Sequence, residues 1–344
     1  MMVVKKDNNI EFLRFIATVG VVFVHIGICW ISSFGKTASP LQNFQFSTIQ
    51  HCMFWAVPVF MMITGSLMMQ KKEITYHTAF KYFKRIAVLL ILFGTIFSWM
   101  ELYFKNHEIS STLIWGGNTK CAGRGNTWKH LWYLYMLLGI YLVLPVLNGM
   151  NKMPMKEIGL MTVVILVFNS LLPTFQLECG IAFPIASIYV GYFFMGYLVL
   201  KTNDCSFMKG KTLIALVILL FTFILLVGDR YLSVVKGEKI GVDCSSYVSA
   251  FTVLQSAIVF WLLTKRAGCF DRFCAMWLIK RFNRCSLGIY IIHMLWINLI
   301  IKVLHINIMP YGILGIIPMG IIVFLLAWVT TEGMIRLPIL RRYL

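Results

Sequence analysis

The sequence is poor in charged residues, and acidic residues are the scarcest of them. Only 13% of its 344 residues are charged, with 13 aspartates and glutamates against 31 lysines and arginines. Soluble domains have about 25% charged and roughly 45–50% apolar residues, whereas this chain is 59% hydrophobic. A soluble core cannot bury that much apolar surface, so lipid must be the solvent. The composition therefore predicts an all-α integral membrane protein.

The sequence also lacks the signals of metal-binding, nucleic-acid-binding and secreted proteins. The nine cysteines follow no metal spacing, and Cys269 and Cys274 stand apart from other ligands, so we expect no metal. The net charge of +18 comes from short basic clusters between apolar runs, which is typical of topology signals and lipid-headgroup contacts rather than of nucleic-acid binding. The first apolar run, 10–31, is too long for a signal peptide. No internal repeat is evident, so we expect a single transmembrane domain over residues 1–344.

About ten apolar runs are long enough to cross the membrane, which takes about 20 residues each. They lie at 10–32, 51–69, 84–104, 129–148, 157–173, 184–200, 212–228, 247–264, 285–304 and 312–334. An even number of spans places both termini on one side. The loops on that side hold 21 lysines and arginines and the opposite loops hold eight, so both termini are predicted to be cytoplasmic, in a bacterial inner membrane.

The first predicted helix has a polar stripe on an otherwise apolar surface. At 100° per residue, Glu11, Arg14, Thr18 and His25 fall within about 60° of one another, and an ionisable group in a span is a functional candidate. Arg14 and His25 are about 16 Å apart along the axis. Two structural alternatives stay open: Arg14 as an interfacial anchor paired with Glu11, and His25 as a hydrogen-bonding group between helices.

The ninth predicted helix repeats this pattern, because Ser286, Tyr290 and His293 share one face. His293 is interpreted either as a partner of His25 or as a helix-packing donor. Glu332, near the predicted inner end of the last helix, has two interpretations as well. It forms an interfacial ion pair with neighbouring Arg336, or it pairs with Arg14 across the bundle.

Taken together, these segments resemble the acyltransferase-3 superfamily of bacterial membrane proteins from about residue 9 to 335. The resemblance is carried by Leu13-Arg14-Phe15-Ile16-Ala17, His25, Phe60 to Leu67, Arg85, Leu131-Trp132-Tyr133-Leu134, Phe193 to Tyr197, Ser286 to His293, and Glu332. The chain looks most similar to single-domain enzymes that O-acetylate surface polysaccharides. It departs from the family pattern at Thr64-Gly65, where Ser-Gly is usual, and at Lys71-Lys72, where many members have Arg-x-Arg.

The resemblance implies about ten helices, an acyl-CoA donor on the cytoplasmic side, taken to be acetyl-CoA, and an acceptor hydroxyl at the outer face. It also implies that Arg14 and His25 are essential and that Glu332 is the late acid of the family. The hypothesis is that Arg14, with Arg85 or Lys71 and Lys72, holds the CoA phosphates.

In this hypothesis the pantetheine arm reaches His25, which serves as general base or transient acyl carrier, and no cofactor is permanently bound. The acceptor is a polysaccharide, a lipid-linked sugar or peptidoglycan, and acetyl and succinyl both stay open. The rival interpretation is a transporter or flippase for a lipid-linked sugar or small anion, which would use the same buried residues as substrate sites.

Overall fold

A computed structural model describes residues 7–106, 129–177, 187–202, 211–238, 241–264, 270–271 and 273–344. Within these ranges the chain is helical and contains no strand. The helices are α1 (Asn8–Phe34), α2 (Pro40–Cys52), α3 (Ala56–Met68), α4 (Tyr76–Asn106), α5 (Trp132–Gly149), α6 (Met155–Leu166), α7 (Ile188–Lys201), α8 (Lys211–Tyr231), α9 (Ala250–Thr264), α10 (Met276–Arg284), α11 (Ser286–Lys302), α12 (Ile313–Ile335) and α13 (Pro338–Arg341). Wide π-helical turns extend α6 over Val167–Leu171 and α8 over Leu232–Lys236.

Seven helical stretches among the described residues are long and apolar enough to cross a membrane. They are Asn8–Phe34, Pro40–Met68, Tyr76–Met100, Trp132–Lys152, Met155–Thr174, Lys211–Lys236 and Ile313–Ile335. An eighth stretch is α10 followed by α11, with a bend of 72° between them, and α7 and α9 are shorter apolar helices. The all-helical, multi-pass character predicted from the sequence is therefore confirmed, whereas the count of ten and the cytoplasmic termini stay predictions.

The second span differs most from its predicted bounds, because it begins at Pro40 rather than at residue 51. Ser39 and Gln42 form a reciprocal capping box that starts α2. A turn at residues 53–55 then interrupts the helix before α3 begins. The polar side chains of α2 hid this helix from a search for apolar runs.

The chain forms two compact units, Met1–Gln70 with Met153–Trp328 and Lys71–Lys152 with Val329–Leu344. In the first unit, α1 packs against α2 and α3 as well as against α9, α10 and α11. Gly65 of α3 and Gly196 of α7 lie directly on the backbones of Phe193 and Met62, leaving no room for a side chain. The single domain over residues 1–344 stays a prediction.

The second unit is built on the packing of α4 against α5. The buried side chain of Asn148 accepts a hydrogen bond from the Ile74 amide at 2.8 Å and donates one to the Lys71 carbonyl at 3.0 Å. The segment that enters α4 is thereby fixed to the end of α5.

Candidate functional site

The polar stripe of α1 faces α10 and α11, and the opposite side of the helix packs against α2 and α3. On that opposite side, Gly27 lies so close to Gln50 that an added Cβ would be 2.6 Å from the Gln50 Cβ. On the polar side, Glu11 contacts Asn283 of α10 and His25 contacts His293 of α11. The residues that share a stripe in the sequence therefore face other helices of the first unit.

At one end of the stripe, a buried amide organises a carboxylate and a guanidinium. Asn283 Nδ2 donates to both the backbone oxygen and Oε2 of Glu11, each at 2.6 Å. Glu11 Oε1 lies 3.8 Å from Arg14 Nη1, and the Arg14 side chain is 27% exposed. Thr18 donates its hydroxyl to the Arg14 carbonyl at 2.8 Å. The guanidinium is thus oriented by its neighbour and still accessible.

Nearer the other end of α1, two imidazoles face each other. The ring centroids of His25 and His293 are 5.0 Å apart, with an interplanar angle of 45°. His293 is fully buried, and its Nδ1 lies 3.1 Å from the Ile289 carbonyl. A carbonyl can only accept, so Nδ1 carries the proton and Nε2 of the neutral ring is an acceptor. The geometry provides a paired imidazole site suited to proton transfer.

Tyr290 lies beside this pair, and Ser286 lies about two turns before His293 on the same helix. Tyr290 has its ring centroid 6.1 Å from that of His293. Ser286 is half-buried and begins α11 directly after the bend that follows α10. Both therefore belong to the same wall of the first unit as the histidines.

An apolar cavity of about 470 Å³ runs beside α1 over the stretch between Arg14 and His25. Phe15, Val19 and Phe23 line it from α1, and Gly320 and Phe324 line it from α12. The α1 residues that line this cavity form a face of the helix adjacent to the polar stripe. The cavity therefore lies next to the polar groups. A hydrocarbon chain would fit such a lining, whereas a charged group would not.

The remaining predicted site residues belong to the second unit. Lys71 Nζ donates to the Tyr82 hydroxyl at 2.7 Å, and Lys72 is exposed. Arg85 donates to the backbone oxygens of Tyr343 and Leu344, at 2.6 and 2.7 Å. Glu332 is half-buried on the last turns of α12, and its pairing with Arg14 stays a prediction.

Asn283 is the residue that the sequence reasoning missed. It lies in the short, strongly amphipathic helix α10, whose basic residues are typical of a cytoplasmic loop. A single asparagine between Phe282 and Arg284 gives no periodic signal, because α10 is only nine residues long. Its role becomes visible only when α10 folds against α1.

A family model described as an acyltransferase domain, of the acyltransferase-3 type, matches residues 7–332. No curated protein and no solved structure matches the chain significantly. The matched range includes every residue of the site described above except Tyr343 and Leu344.

Proposed function

The chain belongs to the acyltransferase-3 family, and on that premise we propose that it transfers an acyl group from cytoplasmic acyl-CoA to a hydroxyl of a cell-surface or lipid-linked glycan. Acetyl is the group proposed, and the outer face of a bacterial inner membrane is the proposed place of transfer. The observation that carries this proposal is the pairing of His25 with His293, about 16 Å along one unbroken helix from the accessible Arg14.

Arg14 is the proposed anchor for the phosphates of the donor. A guanidinium binds phosphate through two parallel hydrogen bonds, and the contact from Glu11 leaves part of the Arg14 side chain exposed. Lys71, Lys72 and Arg85 are proposed as further phosphate contacts. With the phosphates at Arg14, the thin pantetheine arm would extend along α1 and place the thioester near His25.

His25 is the proposed catalytic residue. As general base it takes the proton of the acceptor hydroxyl while the oxygen attacks the thioester carbonyl, and the C–S bond then breaks to release CoA as the thiol. Alternatively, a nitrogen of His25 attacks the thioester carbonyl first, and the C–S bond breaks to release CoA as the thiol. The acceptor oxygen then attacks the acyl-imidazole, the N–C bond breaks, and the hydroxyl proton passes to the imidazole. In both routes His293 Nε2 is proposed to accept a proton from His25, and Glu332 is proposed to support the site.

The test uses the purified protein in proteoliposomes with acetyl-CoA labelled on the acetyl group. The acceptor is glycan from producing cells, de-O-acetylated with mild alkali. Wild type is expected to transfer label to the glycan, and His25→Ala is expected to abolish transfer while inserting and unfolding normally. His130→Ala, which removes a buried histidine of the second unit, is the matched control. Normal transfer by folded His25→Ala would refute the mechanism.

The same preparation distinguishes the rival class. A transporter or flippase would move a lipid-linked sugar or small anion without consuming acetyl-CoA. Sugar flux together with an absence of labelled CoA turnover would therefore replace acyl transfer with transport.

A further inference from the structure

A second cavity, of about 470 Å³, lies in the first unit away from the histidine pair. It is lined by polar and charged side chains from three segments: the turn after α6, the end of α8 and the loop before α9. They include Gln176, Asp229, Arg230, Ser233, Asp243 and Cys244. None of these residues has a role in the proposed mechanism.

Arg230 and Asp229 form an ion pair in this cavity that leaves some of their hydrogen-bonding atoms available. Arg230 donates from both Nε and Nη2 to a single oxygen, Oδ2 of Asp229, at 3.0 and 2.5 Å. Asp229 is only 5% exposed. Among the described residues, neither Arg230 Nη1 nor Asp229 Oδ1 makes a hydrogen bond. One edge of the guanidinium and one carboxylate oxygen are therefore left for a ligand.

The loop that closes the cavity is held rigidly. The Asp243 carboxylate accepts hydrogen bonds from the amides of Ser245 and Ser246, both at 3.0 Å, and from the Ser246 hydroxyl. The Asp243 amide in turn donates to the Thr174 carbonyl at 2.9 Å. The cavity is thus preformed, as ligand sites usually are.

Gln176, in the cavity wall, has a strained backbone conformation. Its φ is +55°, in the left-handed region that favours glycine. The amides of Gln176 and Leu177 close a Schellman-type turn onto Pro173 and Leu172. Glycine would fit this position better, so the side chain is present for a reason other than the turn.

The charge balance indicates the kind of ligand. One guanidinium faces two carboxylates, so the cavity has no excess positive charge for a phosphate or another anion. Its donors and acceptors instead suit a neutral molecule rich in hydroxyl groups. The imidazole of His51 on α2 also lies within electrostatic range of Asp229, Arg230 and Asp243, and Gln50 beside it packs on Gly27 of α1.

We propose that this cavity binds a sugar unit of the acceptor glycan, an inference that rests on the proposed function. Because α2 separates the cavity from α1, the bound unit is a neighbour of the acylated sugar in the glycan chain. The site therefore selects the acceptor and does not take part in the chemistry.

The test compares acceptor KM with donor turnover in two cavity variants. Gln176→Gly removes a lining side chain while relieving strain, and His305→Gly is the matched control, because His305 has φ +52° and does not line the cavity. The double variant Asp229→Asn/Arg230→Gln removes both members of the ion pair, so neither of them is left as a lone buried charge, and the Asp243 carboxylate keeps its hydrogen bonds from Ser245 and Ser246. The labelled acetyl-CoA assay with de-O-acetylated glycan measures KM, and acetyl-CoA hydrolysis without glycan measures the donor step.

Gln176→Gly is expected to raise acceptor KM roughly tenfold and the double variant about 10–100-fold. Donor hydrolysis should not change in either variant, and the melting temperature of Gln176→Gly should not fall. Unchanged acceptor KM in both folded variants, or an equal rise in His305→Gly, would overturn the inference. Calorimetry of the same glycan binding to His25→Ala protein tests the cavity without turnover. This measurement separates failure of the proposed sugar site from failure of the proposed acyl transfer.

Discussion

Replacing His293 tests whether the two imidazoles act as one unit. Asparagine carries an amide near the position of Nδ1 and retains the donor to the Ile289 carbonyl, whereas it has no group at the position of Nε2. Glutamine has the opposite property, since its amide reaches the Nε2 position. His293→Asn therefore keeps a donor for the 3.1 Å hydrogen bond to the Ile289 carbonyl and lacks the nitrogen that faces His25. His293→Gln keeps a nitrogen or oxygen near that second position and loses the hydrogen bond.

The magnitudes follow from the 5.0 Å separation of the ring centroids. Loss of a general base at His25 lowers kcat by about 10²–10⁴. Residues in contact couple by about 0.5–3 kcal/mol, so His293→Asn is expected to lower kcat by a factor of roughly 2–150. His293→Gln should retain more activity. If the residues act together, adding His293→Asn to His25→Ala should cause little further loss.

The assay is transfer of labelled acetyl at saturating acetyl-CoA, with melting temperature in detergent measured on every variant. His293 is fully buried, so a low activity in a variant that melts well below wild type is attributed to lost packing. In that case the other of the two variants, His293→Asn or His293→Gln, supplies the measurement. Wild-type kcat in folded His293→Asn would refute the paired mechanism. So would effects of His25→Ala and His293→Asn that multiply in the double variant.

Three further predictions concern packing and reactivity. Asn283→Leu removes a buried amide with two hydrogen bonds of 2.6 Å to Glu11, so the free energy of unfolding should fall by about 1.5–3 kcal/mol. Because Glu11 lies beside Arg14, KM for acetyl-CoA should rise as well. An unchanged melting temperature would contradict this. Gly65→Ala places a methyl group on a neighbouring backbone, so the yield of folded protein should collapse, whereas Gly139→Ala, which meets no atom within 4 Å, should be neutral. Burial raises the pKa of Cys244 to about 11 from an ordinary value of 9, so near pH 8 maleimide should label it about a hundredfold more slowly than an ordinary thiol. Its rate should rise about tenfold per pH unit up to that pKa, while exposed Cys274 should be labelled first in peptide mass spectra.

The sequence was sufficient to predict an all-helical protein with several membrane-spanning helices, because the bilayer demands long apolar runs. Its limits are clear at α2, which packs through Gly27 of α1 but carries Gln42, Asn43 and Gln50. Such a helix forms because its capping box starts it and α1 covers it, and neither cause leaves a hydrophobic run. The bend between α10 and α11 was also missed, since it results from a turn at Cys285 that ordinary hydropathy does not mark.

The candidate site shows the same division between what lies within one helix and what lies between helices. Helical periodicity predicted that Glu11, Arg14 and His25 share a face, since that depends on one helix alone. It left open whether His293 was the partner of His25, because spacing along a helix does not say which faces meet. Asn283 was missed for the same reason, as its two acceptors belong to a residue 272 positions earlier in the chain.

Placing the two ends of the proposed site on one helix has a physical consequence. α1 continues without a break from Asn8 to Phe34, so the distance from Arg14 to His25 is fixed by helical geometry at about 16 Å. A donor whose phosphates were held at Arg14 would need an arm that spans this distance to bring its thioester to the depth at which His293 meets His25. Separate helices for the two groups would let this distance vary with every shift in packing. A single rigid helix removes that freedom, so the length that the arm of a donor must span stays constant, and the remaining positioning must come from contacts along the arm.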